Sequence, residues 1–349
     1  MADGSFASQG AWREQMTDIE VRSADGADLD VSIGIEAGGS GVPEAASADG
    51  TVTPVTIPIA LAPGVTVRFA TRLGGASIGA WGNCNFGRKV GDDQQAVAEN
   101  LRGLARLLGA PVRLVHQVHS AIAIDAGAAA DDGIDTYAVD ADAQATDHEG
   151  LPLGILGADC LPVMYADAQA GVIGASHCGR RGLQRGVVHS CVEQMVALGA
   201  DRAHIRAVLG PCICGDCYEV GDEIAAEFDA QFPGTRTVTR FGGAGIDIAA
   251  AALQALAAEG IGEGQVVSAK PRVDAATKYL EDDPELMALC ASDGEGAPEL
   301  ADRLGALSHS MCTVENPLWY SHRRAYLAHK DHEGRFLAVV TRGEASGVC

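Results

Sequence analysis

The apolar positions of this chain change period repeatedly, and the changes mark out its elements. Val65-Thr-Val-Arg-Phe69 alternates apolar and polar side chains, which predicts a strand. After Asp92-Asp-Gln-Gln-Ala96, the residues Val97, Leu101, Leu104 and Leu108 recur at helical spacing. That spacing predicts a helix over 94–108, with acids at its start to suit the helix dipole and Gly109 to stop it. Short apolar runs predict strands at 112–117, 153–156, 163–165, 172–175 and 205–209, and helical patterns fill 186–198, 222–232 and 248–259. Leu318-Trp-Tyr-Ser321 and Arg335-Phe-Leu-Ala-Val-Val340 read as paired strands around a turn at 331–334. Alternating strands and helices with several hairpins predict a mixed α+β layered fold.

Two regions lack this regularity. Residues 1–64 read as an N-terminal extension. Within it 19–21 and 29–35 alternate like short strands, while Ala37 to Thr53 is Gly, Ala, Ser and Asp and reads as a flexible loop. Residues 271–306 are charged and weakly patterned and read as an inserted or mobile segment, partly helical around 284–290. The expected organisation is one catalytic domain over 65–349 with that insertion.

Composition narrows the partners. The 349 residues are 47% hydrophobic, so a sizeable core is available. A formal net charge of -22 argues against nucleic acid, whose phosphate backbone selects basic surfaces. It leaves room for a small anion held by a few arginines and backbone N–H groups. No run approaches the roughly 18 apolar residues of a membrane span, and Met1 to Gln15 lacks a basic stretch followed by an apolar one. We therefore expect a cytoplasmic monomer with no membrane partner, its ten cysteines reduced.

Three candidate ligands follow predicted strands. His119 ends His116-Gln-Val-His119, Cys160 lies in Ala158-Asp-Cys-Leu-Pro162, and His177 lies in Ser176-His-Cys-Gly-Arg-Arg-Gly182. Rigid scaffolds place reactive groups where strands feed loops. Two imidazoles and a thiolate suit zinc, or copper, and a three-ligand site leaves one position for water or substrate. The separations along the chain match no short metal motif. Pattern alone therefore supplies suitable donors without their proximity.

The order of several motifs adds to this. Thr71-Arg-Leu-Gly-Gly-Ala-Ser77, Asn85-Phe-Gly87, Val90-Gly-Asp-Asp93, Gln117-Val-His-Ser120, Ala158-Asp-Cys-Leu-Pro162, His177-Cys-Gly-Arg-Arg-Gly182, Gly210-Pro-Cys-Ile213, Cys217-Tyr-Glu-Val-Gly221 and Tyr320-Ser-His-Arg-Arg324 follow one another between about 65 and 340. In this set and order the chain resembles the YfiH-like family. Its members have been called laccase-domain proteins, multicopper polyphenol oxidases and peptidoglycan editing factor, and are now described as purine nucleoside phosphorylases with adenosine deaminase activity. The resemblance implies an α/β/β/α sandwich of mixed sheets and a metal, zinc or else copper, on His119, Cys160 and His177. It implies purine nucleoside and phosphate as substrates: adenosine, inosine, guanosine or methylthioadenosine for phosphorolysis, and adenosine for deamination.

The chain departs from its relatives at Arg180, where the family typically carries Trp, and at Lys89, where His is common. Three rival readings stand beside the leading one. Copper-dependent polyphenol oxidation is one, although a single His2Cys set cannot supply several coppers. A hydrolase with Cys160 as nucleophile and His119 or His177 as base is another. The third is an accessory role in cell-wall synthesis, acting by binding.

Other side chains complete the candidate list. Arg72 and Arg181, in Gly-containing turns, could hold phosphate or form structural ion pairs. Asp159 could orient a ligand, accept a proton or hold a turn. Arg72, Asp159 and Arg181 are the catalytic candidates. Asn85, with Arg72, is the substrate-binding one, against a turn-capping use. Arg323 and Arg324 read as surface salt-bridge formers. Cys212-Ile-Cys-Gly-Asp-Cys217 gathers three thiols without an evident fourth ligand and reads as a reduced structural cluster. Cys178 faces away from His177 if the strand continues, so it is not assigned as a ligand.

Overall fold

The computed structural model describes residues 51–133 and 136–343. The short strands expected at 19–21 and 29–35, and the 37–50 part of the expected loop, lie outside the described residues. Among the described residues no helix is long and apolar enough to cross a membrane.

Two sheets form the centre. One has four strands in the order β1-β2-β12-β5: β1 (Thr56–Ala62), β2 (Val65–Ala70), β5 (Leu153–Gly157) and β12 (Phe336–Arg342). The other has six in the order β11-β8-β6-β7-β4-β3: β3 (Ala123–Asp125), β4 (Ala143–Thr146), β6 (Leu161–Asp167), β7 (Val172–Cys178), β8 (Arg206–Leu209) and β11 (Val266–Val267). Most pairings are antiparallel, but β3–β4 and β8–β11 are parallel, so this sheet is mixed. A small hairpin, β9 (Arg236–Val238) with β10 (Ala244–Ile246), stands apart.

Period-two alternation explains the layering. Val65, Val67 and Phe69 of β2, with Phe336, Ala338 and Val340 of β12, meet Met164, Ala166, Ile173 and Ala175 of the other sheet in one core. The opposite face of the four-stranded sheet, through Leu337 and Val339, packs on Leu104 of α1 (Gln94–Leu108). On the far face of the six-stranded sheet, Val163, Tyr165 and Val172 lie under two helices. These are α4 (Val187–Ala197) and α6 (Ile248–Ala258). The order of layers is therefore α/β/β/α, as the resemblance implied. The remaining helices are α2 (Ala126–Asp131), α3 (Arg180–Arg185), α5 (Asp222–Gln231), α7 (Lys270–Tyr279), α8 (Pro284–Ser292), α9 (Leu300–Gly305) and α10 (His322–Leu327).

Four expectations are corrected. First, the ordered sheet begins before Val65: β1 pairs along β2, and its Ile57, Ile59 and Leu61 enter the inter-sheet core. Pro58 interrupts that run yet is tolerated, because β1 is an edge strand. Second, 112–117 is held by isolated bridges, Arg113 with Leu153 and His116 with Asp140, and forms no ladder strand. Third, Leu318–Ser321 does not pair with β12, whose two edges are already filled by β2 and β5. Instead Ser321 caps α10, its side chain accepting from the Arg324 N–H.

Fourth, 271–306 is helical well beyond 284–290. It forms α7, α8 and α9, and Val273, Leu286, Leu289, Cys290 and Leu300 join the inter-sheet core. Several of its charges are buried partners. Asp293 pairs with Arg303 at 2.6 Å and Arg72 at 3.2 Å, and Glu295 pairs with Arg324 and Lys330 at 2.8 Å each. Glu285 of α8 accepts from the Gly74 N–H at 3.0 Å, so the helix grips the turn beside Arg72.

Removing one member of such a network strands the other buried charges. Asp293→Ala, which leaves Arg72 and Arg303 facing each other without their shared carboxylate, is expected to cost about 3–5 kcal/mol in denaturant unfolding. A loss under about 1 kcal/mol, typical of an exposed pair, would show that the helices do not depend on it.

Candidate active site

The chain passes from one sheet to the other between β5 and β6, through Ala158-Asp159-Cys160. β6 then runs against β7 with Pro162 opposite His177 and Leu161 opposite Cys178. This crossover sets Cys160 beside the end of β7. On β7 the side chains of Ile173 and Ala175 face the inter-sheet core, and His177 continues that face by the two-residue period. Cys178 turns to the other core, beneath α4, as the strand reading required.

His119 arrives on a loop with a left-handed backbone, φ +60°, a conformation that a non-Gly residue keeps only when its surroundings impose it. A single carboxylate does so. Asp142, fully buried ahead of β4, accepts from the backbone N–H groups of Val118, His119 and Ser120 at 3.2, 3.0 and 2.5 Å, and from Ser120 Oγ at 2.8 Å. Asp142 also accepts from His177 Nδ1 at 2.8 Å. Donation from Nδ1 leaves His177 Nε2 with its lone pair for a cation.

The donor atoms of His119, Cys160 and His177 all lie within 4.8 Å of one another. Cys160 Sγ is 3.6 Å from His119 Nε2, and the two imidazoles stand edge to face with centroids 4.8 Å apart. Gly179 closes the cradle: a Cβ there would stand 2.8 Å from Cys160 Sγ and 3.0 Å from His119 Cδ2. Two imidazoles and one thiol at this separation fit one ion of the zinc class. They do not fit a multi-copper cluster, because the other donor groups among the described residues are Cys214–Cys217–Cys312–Glu315 and an exposed His189–Glu193–Glu259, neither rich in histidine.

The site's electrostatics already anticipate a cation. Burial pushes the Cys160 thiol up, but His177 and His119 beside it bring it down to about 6. Burial pushes His177 down, but the Cys160 thiolate and Asp142 raise it to about 9. Burial pushes Asp142 up, yet its hydrogen bond from His177 holds it at about 2. Without an ion, these shifts favour a thiolate–imidazolium pair between about pH 6 and about pH 9.

Around this floor opens a cavity of about 540 Å³. Lys89, Arg323 and Arg335 line it, with Tyr137 and Tyr218 among its aromatic walls. Arg323 Nη2 donates to the Glu219 carbonyl at 2.8 Å, and its guanidinium lies 5.8 Å from the Tyr218 ring centroid. Lys89 Nζ lies 5.6 Å from the Tyr137 centroid. His322 and Arg335 share Glu333, whose hydrogen bond raises the His322 pKa despite partial burial. His116 also lines the cavity, with Nδ1 on Asp140 at 2.6 Å.

The other sequence candidates divide. Asp159 lines the cavity with φ +96°. Its carboxylate accepts from Thr313 Oγ1 at 2.7 Å and from the Arg323 N–H at 2.6 Å, while burial pushes its pKa up. Arg72 lies outside the cavity lining, buried against Asp293 with its guanidinium 5.1 Å from the Tyr320 centroid. Arg181 is exposed on α3, away from the lining. Asn85 is buried behind the wall, accepting from the Gly87 and Arg335 N–H groups at 2.8 Å each, so its use is to hold a turn. Arg324 is buried on Glu295 and backbone carbonyls, not exposed in a surface salt bridge. Arg180, the departure from the expected Trp, folds back on Gln184 of its own helix at 2.8 Å and does not line the cavity.

The cationic side of the site and Asp142 were missed from sequence. Arg323 reads as a surface salt-bridge former at a late strand end and Arg335 as the start of the last strand, and nothing local tells a cavity arginine from a surface one. Asp142 lies in Asp140-Ala-Asp-Ala-Gln144, where nothing local separates it from Asp140, an exposed acid two residues earlier.

Comparison with known proteins places this arrangement. Residues 66–279 match the family described as multi-copper polyphenol oxidoreductase laccase. The purine nucleoside phosphorylase ORF3 of Streptomyces griseus is 44% identical over 197 residues, spanning 55% of this chain and 79% of that protein. The adenosine deaminase RL5, from an unknown prokaryotic organism, is 34% identical over 209 residues, spanning 55% of this chain and 77% of that protein. The solved structure of YfiH from Bacillus licheniformis matches with a TM-score of 0.64 at 25% identity, covering 83% of this chain and 97% of that one.

Two outcomes follow for the ligand set. Gly179→Ala should weaken zinc binding roughly 10–100-fold, in the range of lost outer-shell support, as measured by competition with a chromophoric chelator. In metal-stripped protein, alkylation of Cys160 followed by mass spectrometry should show a midpoint near pH 6. A midpoint near pH 8.5, the ordinary thiol value, would mean that the imidazoles do not stabilise the thiolate.

Proposed function

The chain belongs to the multi-copper polyphenol oxidoreductase laccase family, the YfiH-like family of the sequence reading, and on that footing we propose that it is a metal-dependent purine nucleoside phosphorylase that also deaminates adenosine. One observation carries this reading: a single cavity has a His2Cys donor set on its floor and three cationic side chains with two tyrosine rings on its walls. A nucleoside and a phosphate need those two kinds of surface side by side.

In phosphorolysis a phosphate oxygen bonds to ribose C1′ as the C1′–N9 bond breaks, and the electron pair leaves with the purine, which takes up a proton. The reaction is accelerated by holding both reactants in line and by countering phosphate charge. Arg323, Arg335 and Lys89 are the groups we assign to the phosphate, by charge-assisted hydrogen bonds. Tyr137 and Tyr218 offer faces for the base. Asp159 acts as a positioning residue, because its carboxylate fixes the backbone from which Arg323 extends. His116, oriented by Asp140, is the group we assign to moving a proton. Arg72, Arg181 and Asn85 have no part in this reading.

His119, Cys160 and His177 would hold zinc, or copper in second place, which when bound supplies Lewis-acid charge for deamination. In that reaction water replaces the amino group at purine C6, and ammonia leaves. Polyphenol oxidation by several coppers finds no second histidine-rich donor set among the described residues.

The test is a substrate panel of adenosine, inosine and methylthioadenosine with zinc-loaded protein, with and without phosphate. Free base and the ribose 1-phosphate product are expected only with phosphate, and inosine should form from adenosine in either case. Arg323→Ala should raise the phosphate KM about 10–100-fold, the loss of one charged hydrogen bond worth about 1.5–3 kcal/mol, while changing phosphate-independent deamination less than about threefold. Absence of product from every nucleoside would end this reading.

A further inference from the structure

The cysteine run at 212–217 has a completion that the sequence does not display. Cys212 turns into the core beneath α6, while Cys214 and Cys217 face Cys312 and Glu315. The four donor atoms lie within 4.8 Å of one another, although Cys312 and Glu315 come from a segment roughly one hundred residues later. Cys214 and Cys217 Sγ lie 3.6 and 3.8 Å from the same oxygen, Glu315 Oε1. Ligands 2.0–2.3 Å from a tetrahedral zinc stand about 3.3–3.8 Å from one another, so these separations are those of a coordination shell.

The surroundings match as well. The N–H groups of Cys217 and Tyr218 both donate to the Cys214 carbonyl at 3.0 Å, a tight turn that points two sulfurs the same way. The Cys214 N–H points at Cys312 Sγ at 3.4 Å, as outer-shell donors do for metal thiolates. Glu315 is nearly buried, and its second oxygen accepts from the Ser308 and His309 N–H groups at 2.6 and 3.0 Å. Arg240 meets Oε1 at 2.5 Å and offsets the charge of a thiolate-rich shell.

We propose that Cys214, Cys217, Cys312 and Glu315 bind a structural zinc ion that fastens the 212–218 loop to the 308–315 segment. Three thiolates favour a thiophilic ion, and four protein ligands leave no open position, so the site is structural rather than catalytic. Binding releases the three thiol protons to solvent as the sulfurs take the ion. The joined segments carry Ile213 and Tyr218, which line the cavity, and Thr313, which holds Asp159. The ion therefore braces one cavity wall. This site stands apart from His119, Cys160 and His177 and does not depend on the nucleoside reading.

The test uses reduced, full-length protein, stripped by chelator, reloaded anaerobically with zinc and measured for metal content. Wild type should hold two zinc ions per chain. Cys214→Ser/Cys217→Ser should hold one, and His119→Ala/His177→Ala should hold one. With cobalt in place of zinc, the thiolate charge-transfer absorbance retained by the histidine double variant should be about three times that of the cysteine double variant, in the ratio of their thiolates. Should the cysteine variant fail to fold, zinc protection of Cys214, Cys217 and Cys312 from alkylation in the histidine double variant supplies the same answer. One zinc per wild-type chain, lost with the histidines, would overturn the proposal, as would free alkylation of those three thiols in the presence of zinc.

Discussion

A buried carboxylate is unfavourable unless donors surround it, and the geometry of this site follows from how Asp142 is satisfied. Three successive backbone N–H groups, one hydroxyl and one imidazole converge on it. The backbone donors hold the 118–120 loop in a shape that includes a left-handed His119. The imidazole donor fixes the orientation of His177. Two candidate ligands from distant parts of the chain are thus set by one negative charge. That charge also favours the imidazolium when no cation is present, and a cation when one is.

The third candidate ligand depends on the sandwich. Cys160 sits where the chain leaves one sheet for the other, so its place relative to His177 is set by the β6–β7 register. The register is in turn held by side chains that alternate between the two cores, since a one-residue slip would exchange His177 with Cys178. Gly179 then lets α3 begin hard against the ligands, where any side chain would collide with Cys160. Packing and electrostatics therefore act on the same few ångströms.

Elsewhere the chain uses the same device of buried charge met by opposite charge across long sequence separations. Arg72, Arg303, Arg324 and Lys330 are gathered by Asp293 and Glu295, which ties α8 and α9 to the turn after β2. Glu315 gathers Arg240, two backbone N–H groups and two thiols behind the cavity. In a chain of net charge -22, these local balances decide where cations stand, and they leave Lys89, Arg323 and Arg335 at the cavity.

Periodicity by itself determined much of the scaffold. The helices over 94–108, 222–232 and 248–259 and the strands flanking His177 were legible because the period of an amphipathic segment is a local property. The ordered motifs carried the family and pointed to His119, Cys160 and His177 as candidate ligands. What the tertiary structure decided is everything that required two distant segments to meet. Val112–Gln117 had a strand's pattern without a ladder, Leu318–Ser321 met no free strand edge, and the charged, weakly patterned 271–306 acquired its place only where Asp293 and Glu295 met Arg72 and Arg324. Arg72 and Arg323 are both arginines beside turns or caps, yet one is a buried brace and the other faces the cavity. Cys312 and Glu315 complete a thiol pair about a hundred residues away. No local pattern encodes such meetings, because burial and charge pairing are properties of the folded contact and not of the neighbouring residues in the chain.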